Sequence, residues 1–292
     1  MLINLCKELD FPSESLSFLE KAYLSVIKNE EINTLFQTAA DSLLNPNNVI
    51  FFDATAKIQE MTNLHSYTLN VLLCVSCLQP LGKIYEDAGE KEILDKHVSS
   101  LKQKLIKCKE DSGVWGITEV FWLSMFHARQ CKRLGRLVFE PFYHFCDVPY
   151  KGINKGEPVI LIHIPGGSPL DMDEVMESLE LGYNCFKNRF ENETVPFITH
   201  SWILYPPYLN GVFKEGGNLQ KFAGLFDIID QNESPFINFT NIFQCPYPGE
   251  DLSGVPCKTS LQRSMMNFIK QGNSMGQGYG SFLYNKNGIV KN

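Results

Sequence analysis

The sequence predicts an α+β protein, in which an all-helical N-terminal domain precedes a domain built on a mixed α/β sheet. Up to about residue 112, apolar residues recur at spacings of three and four, which is the period of amphipathic helices. After that point, short β-rich runs alternate with helical segments, as is typical of an α/β sheet. Between the two parts, "KEDSGVWG" has the charge and glycine content of a linker. We therefore expect one domain over residues 1–112 and a second over 113–292.

The N-terminal part contains several segments with a helical period. In the first long segment, Leu16, Leu19 and Tyr23 fall on one face of the predicted helix. The predicted helical segments are "PSESLSFLEKAYLSVIKNEE", "EEINTLFQTAADSLL", "AKIQEMTNLHSYTLNVLLCVSCL" and "EKEILDKHVSSLKQKLIKCKE". No β-rich run interrupts them, so we expect this domain to be helical throughout.

Composition and charge exclude several classes of protein. A formal net charge of -7 argues against a nucleic-acid partner, because such a protein needs a basic face to neutralise phosphates. No run of about 18 uncharged apolar residues occurs, so we expect no membrane span. The first residues, "MLINLCKELD", place acidic side chains where a signal peptide would continue its apolar region, which predicts a cytoplasmic protein.

The cysteines predict reduced thiols and no metal. There are nine of them, an odd number at irregular spacing, which does not suit a disulfide framework. Cys74 and Cys77 form a C-x-x-C pair, but no second pair stands at zinc-binding spacing and the surrounding residues are apolar. We interpret both as buried thiols of a helix.

The C-terminal part combines strands with three predicted helices. A first helix is predicted over 113–135, "GVWGITEVFWLSMFHARQCKRLG", and the last in "TSLQRSMMNFIKQG". The β-rich runs are "GRLVFEPFYHF", "PVILIHIP", "VPFITHSWILY", "LQKFAGLFDII" and "YGSFLYNKNGIV". The glycine-rich "NSMGQGYG", ahead of the last strand, is interpreted as a loop.

The junction at "EPVILIHIPGGSPLDMDEVMESLELGYNCFKNRF" predicts a strand, a tight turn and a helix. The run 159–164 is almost wholly apolar and β-branched, which suits a central strand covered on both faces. From Leu170 onward the three-and-four spacing returns, with Ser168 as a fitting N-cap and Pro169 at the first helical position. A second strand over 195–205 follows, so we expect a parallel crossover unit.

The same junction is a candidate anion site. Gly166 and Gly167 would let a ligand approach the free N–H groups at the helix start, beyond the carboxyl end of the strand. The alternative is that the two glycines only make a turn. Asp171, Asp173 and Glu174 favour this alternative, because carboxylates in the first turn already satisfy the helix dipole and would repel a phosphate.

In its order of elements and in several short sequence segments, the chain resembles a family of bacterial acyltransferase-domain proteins. These proteins pair a helical N-terminal domain with a C-terminal domain similar to the GNAT superfamily of N-acetyltransferases. The resemblance covers nearly the whole chain. The matching segments are "GRLVFEP", "HIPGGSPLDMDEVMESL", "THSWILYPPYL", "NLQKFAGLFDI" and "TSLQRSM". The resemblance implies a GNAT-like mixed α/β sheet domain and acyl transfer from acetyl-CoA or another acyl-CoA.

The resemblance also implies where the donor binds. In GNAT folds two neighbouring parallel strands splay apart, the pantetheine arm lies in the gap, and the diphosphate rests on the turn after the first of them. Here 159–164 and 195–202 would be these strands, and 166–170 would be the turn. The residues implied in binding the donor are Ile164, Gly166, Gly167, Ser168 and Leu170.

Four side chains are candidates for the chemistry. Acylation of an amine needs a base and an acid that converge on the splay, and His163 and His200 each stand near the carboxyl end of one of the two strands. A histidine in an apolar run can equally be a satisfied core residue. Tyr208 in "YPPY" follows the second strand, where GNAT enzymes with a tyrosine acid carry it, although packing is the simpler role. Glu140 could bind an amine, but most glutamates at strand ends are solvated.

Two functions remain open at this point. The first is an acyltransferase that moves an acyl group from acyl-CoA to an amine of a small molecule or peptide. The second is a non-catalytic ligand- or protein-binding module on a degenerate GNAT-like fold, since "PGGSPL" departs from the glycine motif of GNAT proteins and is followed by an acidic helix start. The helical domain could cover the acceptor side or mediate a homodimer.

Overall fold

The structure is a computed structural model. It describes residues 2–44, 48–99, 101–118, 120, 131–166, 168–233, 235–243, 245, 247–249 and 251–290. The chain divides into two compact units, one that ends at Lys132 and one that begins at Arg133.

The first unit is helical, as the sequence predicts. Its helices are α1 (Leu2–Glu8), α2 (Ser13–Ile27), α3 (Glu30–Leu44), α4 (Asn48–Thr62), α5 (Ser66–Asp87), α6 (Lys91–Val98) and α7 (Leu101–Ser112). Helix α5 is deeply buried, because apolar residues cover most of its circumference from Leu69 to Leu81. Cys74 and Cys77 lie on it and are buried, which confirms the interpretation as buried thiols. Burial raises the pKa of Cys77 to about 12, so this thiol stays protonated and inert.

None of the helices in the described ranges combines the length and the apolar composition that a membrane crossing requires. Residues 119 and 121–130 of the helix predicted over 113–135 lie outside the described residues. Its start is wrong, because 113–118 is not helical. Its end is wrong, because Lys132–Leu134 is a strand, the first of the sheet.

The second unit is built on a mixed sheet, which confirms the predicted fold class. The strands are β1 (Lys132–Leu134), β2 (Leu137–Tyr143), β3 (Pro158–His163), β4 (Val195–Ser201), β5 (Asp227–Glu233), β6 (Gly276–Asn285) and β7 (Gly288–Ile289). Their order is β1-β2-β3-β4-β6-β5, with β7 paired to β6. The neighbours β3 and β4 run parallel, as the crossover prediction requires, whereas β2–β3, β4–β6 and β5–β6 are antiparallel.

The helix that connects the parallel strands β3 and β4 in the sequence packs on the sheet. Helix α8 (Met172–Phe186) buries Val175, Leu179 and Tyr183 in the main core of the unit. Ile160 and Ile162 of β3 join this core, while Val159 belongs to a smaller cluster with Ile198. Because side chains alternate along a strand, the main core and the smaller cluster lie on opposite faces of the sheet. The central-strand prediction for 159–164 is therefore confirmed.

Four further α-helices lie in the described residues of the unit. They are α9 (Pro206–Gly211), α10 (Asn218–Ala223), α11 (Pro235–Phe243) and α12 (Ser260–Lys270). Helix α10 corrects the prediction of a strand in "LQKFAGLFDII", since only the end of that run, from Asp227, is extended. The second strand predicted over 195–205 also ends early, at Ser201, and continues as a turn of 3-10 helix, Trp202–Leu204.

The glycine-rich "GQGYG" is a strand and not the loop that we predicted. Strand β6 begins at Gly276 and pairs with β4 on one side and β5 on the other. A Cβ atom on Gly278 would stand 2.3 Å from the Leu204 carbonyl oxygen. The glycine is thus needed for close approach of the backbone after β4, and it does not indicate a turn.

Candidate functional site

Strands β3 and β4 part soon after they meet. Their parallel register consists of Ile160 with Phe197 and Leu161 with Ile198, and no further pair joins them in the described residues. Beyond this point the Thr199 hydroxyl donates a hydrogen bond of 2.8 Å to the Ile162 carbonyl oxygen, where the ladder would otherwise use a backbone N–H. Backbone groups past the Thr199 bridge are therefore available to a ligand that enters between the strands.

A cleft opens where the strands part. It has a volume of about 1120 Å³, at the upper end of the usual range for small-molecule sites. Its walls come from the carboxyl ends of β3 and β4, the loop after β3, the 3-10 turn after β4 and the segment that follows β2. Several residues of the predicted site line this cleft, namely His163, His200, Ile164, Gly166, Ser168 and Leu170. Gly167 was predicted with them and lies outside the described residues.

The two histidines lie on the same face of the sheet. Leu161 and Ile198 are register partners, and each histidine follows its strand's partner residue by two positions. Since residues two apart on a strand share a face, His163 and His200 both project from the face of the smaller apolar cluster. Sequence position alone had suggested only that both stand at strand ends.

His163 forms a pair with a buried carboxylate. Its Nε2 lies 2.7 Å from Oε2 of Glu140, which is on the neighbouring strand β2. The Glu140 side chain is 10% exposed and that of His163 40%, so the carboxylate is enclosed while the imidazole reaches the cleft. The view of Glu140 as a solvated strand-end residue is corrected by this burial. A neutral imidazole that donates from Nε2 to this carboxylate carries a lone pair on Nδ1.

His200 has a different environment. Its ring stacks on Tyr279 of β6, with the ring centres 3.7 Å apart and an angle of 9° between the planes. Its Nε2 is buried without a hydrogen-bond partner among the described residues. Burial lowers the pKa of His200 below its usual value, because the imidazolium would lose its hydration. His200 is thus a neutral imidazole at neutral pH, with an unused polar atom.

The loop after β3 reaches the helix later than we predicted. Asp171 is the N-cap of α8, and its carboxylate accepts hydrogen bonds from the N–H groups of Asp173 and Glu174. Ser168 and Pro169 lie before the helix, so their predicted roles as N-cap and first helical residue are wrong. The Asp171 carboxylate closes the cap, whereas the Ser168 side chain makes no hydrogen bond to a helix N–H in the described residues. The helix N–H groups are consequently occupied in part by the chain's own carboxylate.

An arginine that the sequence did not single out holds this loop. The Arg136 Nε donates to the Pro169 carbonyl oxygen and its Nη2 to the Ser168 carbonyl oxygen, each at 3.0 Å. Arg136 is only 7% exposed and lines the cleft. It comes from the turn between β1 and β2, about 30 residues before the loop in sequence, so no local pattern pointed to it.

Tyr208 lies in the core. It is fully buried, and its hydroxyl accepts a hydrogen bond of 3.0 Å from the Gly276 N–H. Burial raises the pKa of Tyr208 to about 12. It does not belong to the walls of the cleft. Its neighbour Tyr205 donates to Glu233 at 3.2 Å, so both phenols have partners in the fold.

Comparison with known proteins gives one family and several similar folds. The family described as GNAT-like C-terminal domain matches residues 131–282, which is more than half of the chain. No curated protein matches the sequence. An acyltransferase in complex with decanoyl-CoA has a TM-score of 0.70 and 17% identity over 95% of this chain and 86% of that chain.

Two further acyltransferase structures are similar. One, in complex with decanoyl-CoA and teicoplanin, has a TM-score of 0.69 and 17% identity, over 95% of this chain and 86% of that chain. Another, in complex with CoA and 10C-Teicoplanin, has a TM-score of 0.61 and 16% identity, over 95% of this chain and 98% of that chain. Identities this low establish a shared fold only. Together with the helical first unit and the mixed sheet, the family match confirms the predicted resemblance. This chain belongs to the GNAT-like C-terminal domain family.

Proposed function

We propose that this protein is an acyltransferase that moves an acyl group from an acyl-CoA to an amine of a small molecule or peptide. One observation carries the proposal: two parallel strands part at a cleft, and each contributes a histidine to the same face at that point. Acyl transfer needs both a slot for an extended donor and polar groups that converge on its reacting carbon.

The donor fits the gap between β3 and β4. The pantetheine arm of CoA is a narrow chain with two amide groups, and amides pair well with strand edges that lack a neighbouring strand. The thioester would then lie near Thr199 and His163, and the diphosphate near Gly166, Ser168 and Leu170. Similar folds support an acyl-CoA as the donor, because two solved acyltransferases of similar fold are complexes with decanoyl-CoA.

The acyl group has apolar walls to contact. Phe142, Phe145 and Trp202 line the cleft together with Leu161 and Ile203. Burying each methylene of an acyl chain contributes about 0.8 kcal/mol, so walls of this kind favour a chain longer than acetyl. We therefore propose acyl-CoA as the donor class, with acetyl-CoA as its shortest member.

His163 is the general base in this proposal. The amine nitrogen attacks the thioester carbon, and its proton passes to the lone pair on Nδ1 of His163. The imidazolium that forms is stabilised by Glu140, whose carboxylate already contacts Nε2 at 2.7 Å. The C–S bond then breaks, and the imidazolium of His163 gives this proton to the departing sulfur of CoA, which restores the neutral base. A base positioned in this way accelerates such a reaction by about a hundred- to ten-thousandfold.

His200 acts on the carbonyl in this proposal. A neutral imidazole keeps one N–H, which can donate to the thioester oxygen as negative charge develops there. The low pKa caused by burial keeps the ring in this form. Tyr208 was a candidate acid, but its hydroxyl is committed to Gly276 within the core, and we give it no role in the transfer.

Donor binding is the first test. The thermal unfolding midpoint of the full chain is measured alone and with acetyl-CoA, octanoyl-CoA, decanoyl-CoA or free CoA. A ligand present at about a hundred times its Kd, and bound only to the folded state, adds about 2.7 kcal/mol to the unfolding free energy. We expect a rise of the midpoint with at least one ester. Absence of a shift with every ester would overturn the proposal.

Turnover is the second test. Release of the CoA thiol is followed with the ester that binds best and a panel of amines. We expect His163→Gln to lower kcat by about a hundredfold or more, with an unchanged donor Kd. His144→Gln is the matched control, because His144 is in the same unit but bonds the Val148 carbonyl oxygen and does not line the cleft. Equal activity of the His163 variant and the control would remove His163 from the mechanism.

The second function, a non-catalytic binding module, has one observation in its favour. Asp171 caps the helix that GNAT proteins direct at the donor diphosphate, and two more carboxylates follow it in the first turn. A module of this kind would bind a ligand or protein in the cleft without turnover. Turnover that disappears in the His163→Gln and His200→Gln variants would exclude it.

A further inference from the structure

Arg136 is fixed in place by its backbone. It follows Gly135, which adopts a positive φ of +66° in the turn between β1 and β2. The Arg136 N–H donates to the Ser178 hydroxyl of α8 at 2.7 Å, and a Cβ atom on Gly135 would stand 2.6 Å from the same hydroxyl oxygen. The turn is therefore seated directly on the helix, and the Arg136 side chain is directed along it to the loop before Asp171.

The guanidinium of Arg136 has an unused donor. Nε and Nη2 contact the carbonyl oxygens of Pro169 and Ser168, but Nη1 is buried and has no hydrogen-bond partner in the described part of the chain. Within the same residues, no carboxylate lies at ion-pair distance from it. A buried guanidinium without a counter-charge is costly, so such a group in a native fold calls for an explanation.

The charges around Arg136 also favour a bound anion. Burial, and after it the charge of Arg133, lowers the pKa of the Arg136 guanidinium, while Glu174 acts in the opposite sense. Burial and a neighbouring positive charge both disfavour the charged form of a guanidinium, whereas a bound anion favours it. Glu174 is exposed, and in the described part of the chain no ion pair joins it to the guanidinium. An anion bound at Nη1 would supply the missing partner.

The loop itself lacks a cation. From Pro165 to Asp171 it contains no lysine or arginine, and the N–H groups at the start of α8 are partly occupied by the Asp171 carboxylate. A diphosphate at this loop therefore needs a positive charge from elsewhere in the fold. Arg136 stands at the loop, lines the cleft and presents a planar fork of the kind that suits phosphate oxygens.

We infer that Arg136 binds the diphosphate of the acyl-CoA donor through its free Nη1, while Nε and Nη2 hold the loop against it. This inference rests on the proposed function, since it identifies a binding residue of the same site. Arg136 thereby takes the place of the basic residue that the loop lacks. It is a binding residue and takes no part in the proton transfers at His163.

The test combines a variant with a truncated ligand. Binding of CoA, of dephospho-CoA, which lacks only the ribose phosphate, and of pantetheine, which lacks the diphosphate, is measured by calorimetry for wild type and Arg136→Met. We expect the variant to weaken CoA and dephospho-CoA alike, by about ten- to a hundredfold, which is the usual loss for a charged hydrogen bond. Pantetheine should bind both proteins equally.

Arg263→Met is the matched control. Arg263 also donates to two backbone carbonyl oxygens, those of Cys257 and Lys258, but it is exposed and does not line the cleft. We expect this variant to bind all three ligands like the wild type. If Arg136→Met fails to fold, Arg136→Lys replaces it, and we expect a smaller loss because an ammonium keeps the charge but not the planar fork.

The outcomes separate this inference from the proposed function. Unchanged CoA affinity in a folded Arg136 variant, or an equal loss for pantetheine and CoA, would overturn the role of Arg136 and leave the acyltransferase standing. If the wild type binds pantetheine as tightly as dephospho-CoA, the diphosphate contributes nothing to binding, and this result would also overturn the role of Arg136. No binding of any CoA compound or ester by the wild type would overturn both.

Discussion

The bridge from Thr199 to Ile162 marks the point where β3 and β4 part, and its removal tests how the cleft is built. Thr199 is 1% exposed, and its hydroxyl donates to the Ile162 carbonyl oxygen at 2.8 Å. Thr199→Val keeps the shape of the side chain and removes the hydroxyl. Loss of a partner from a buried carbonyl costs about 1–3 kcal/mol, and the nearby cleft lets water replace part of the bond. We therefore expect a loss of about 1–2 kcal/mol.

Hydrogen exchange measures this loss where it occurs. A change of about 1–2 kcal/mol corresponds to roughly a five- to thirtyfold faster exchange of protected amides in β3 and β4. Donor affinity should fall as well, because the gap between the strands is no longer fixed. Ser281→Ala is the matched control: its hydroxyl bonds the Phe197 carbonyl oxygen at 2.8 Å, between β4 and β6, which do not part. It should cost similar stability and leave donor affinity unchanged.

Two results would refute this reasoning. Exchange rates in Thr199→Val equal to those of the wild type would mean that the bridge does not hold the strands. Equal losses of donor affinity in Thr199→Val and Ser281→Ala would mean that the effect is one of general stability and not of the cleft.

Three further outcomes follow from the site and its surroundings. Burial lowers the pKa of His200, so below the ordinary value of about 6.5 the folded state binds fewer protons than the unfolded state. The unfolding free energy should therefore keep its full value above that pH and decline below it. In urea titrations, His200→Gln should flatten this decline. Gly278→Ala should destabilise the protein by about 1–3 kcal/mol in the same titrations, because the new Cβ meets the Leu204 carbonyl oxygen; a stable variant would contradict the packing. Gly166→Ala should leave stability unchanged, since nothing lies within 4 Å of its Cβ position, but should weaken acyl-CoA in calorimetry, and unaltered affinity would move the donor away from this loop.

The unit of β3, α8 and β4 could be predicted from the sequence because its signals are strong and local. The short, β-branched apolar run of 159–164 favours a buried strand, and the spacing of Val175, Leu179 and Tyr183 places them on one face of a helix. Parallel pairing then follows from the crossover helix between the strands. The positions of His163 and His200 near the strand ends follow as well.

The remaining errors occur where long-range contacts override local propensity. The start of α8 moved from Ser168 to Asp171 because either residue could serve as a cap, and the loop that Arg136 holds decides between them. Closely spaced glycines such as those in "GQGYG" usually indicate a turn, but here the missing side chain of Gly278 leaves room for the Leu204 backbone. Neither contact can be seen in a window of the sequence.

The partners of the site residues could not be predicted for the same reason. Glu140 and His163 are 23 residues apart in sequence and 2.7 Å apart in space. The stacking of His200 on Tyr279 depends on the register of β4 with β6. Arg136 contacts a loop that lies 32 residues further along the chain, so the sequence of the loop itself does not indicate this cation.

The most direct test of the proposal that the cleft binds acyl-CoA is hydrogen exchange of the full wild-type chain with and without saturating decanoyl-CoA. We expect slower exchange on binding in two segments, 161–170 after the bridge on β3 and 199–203 at the end of β4, because the donor occupies the backbone groups between them. Binding that protects other parts of the chain and leaves both segments unchanged would contradict the assignment of the cleft as the donor site.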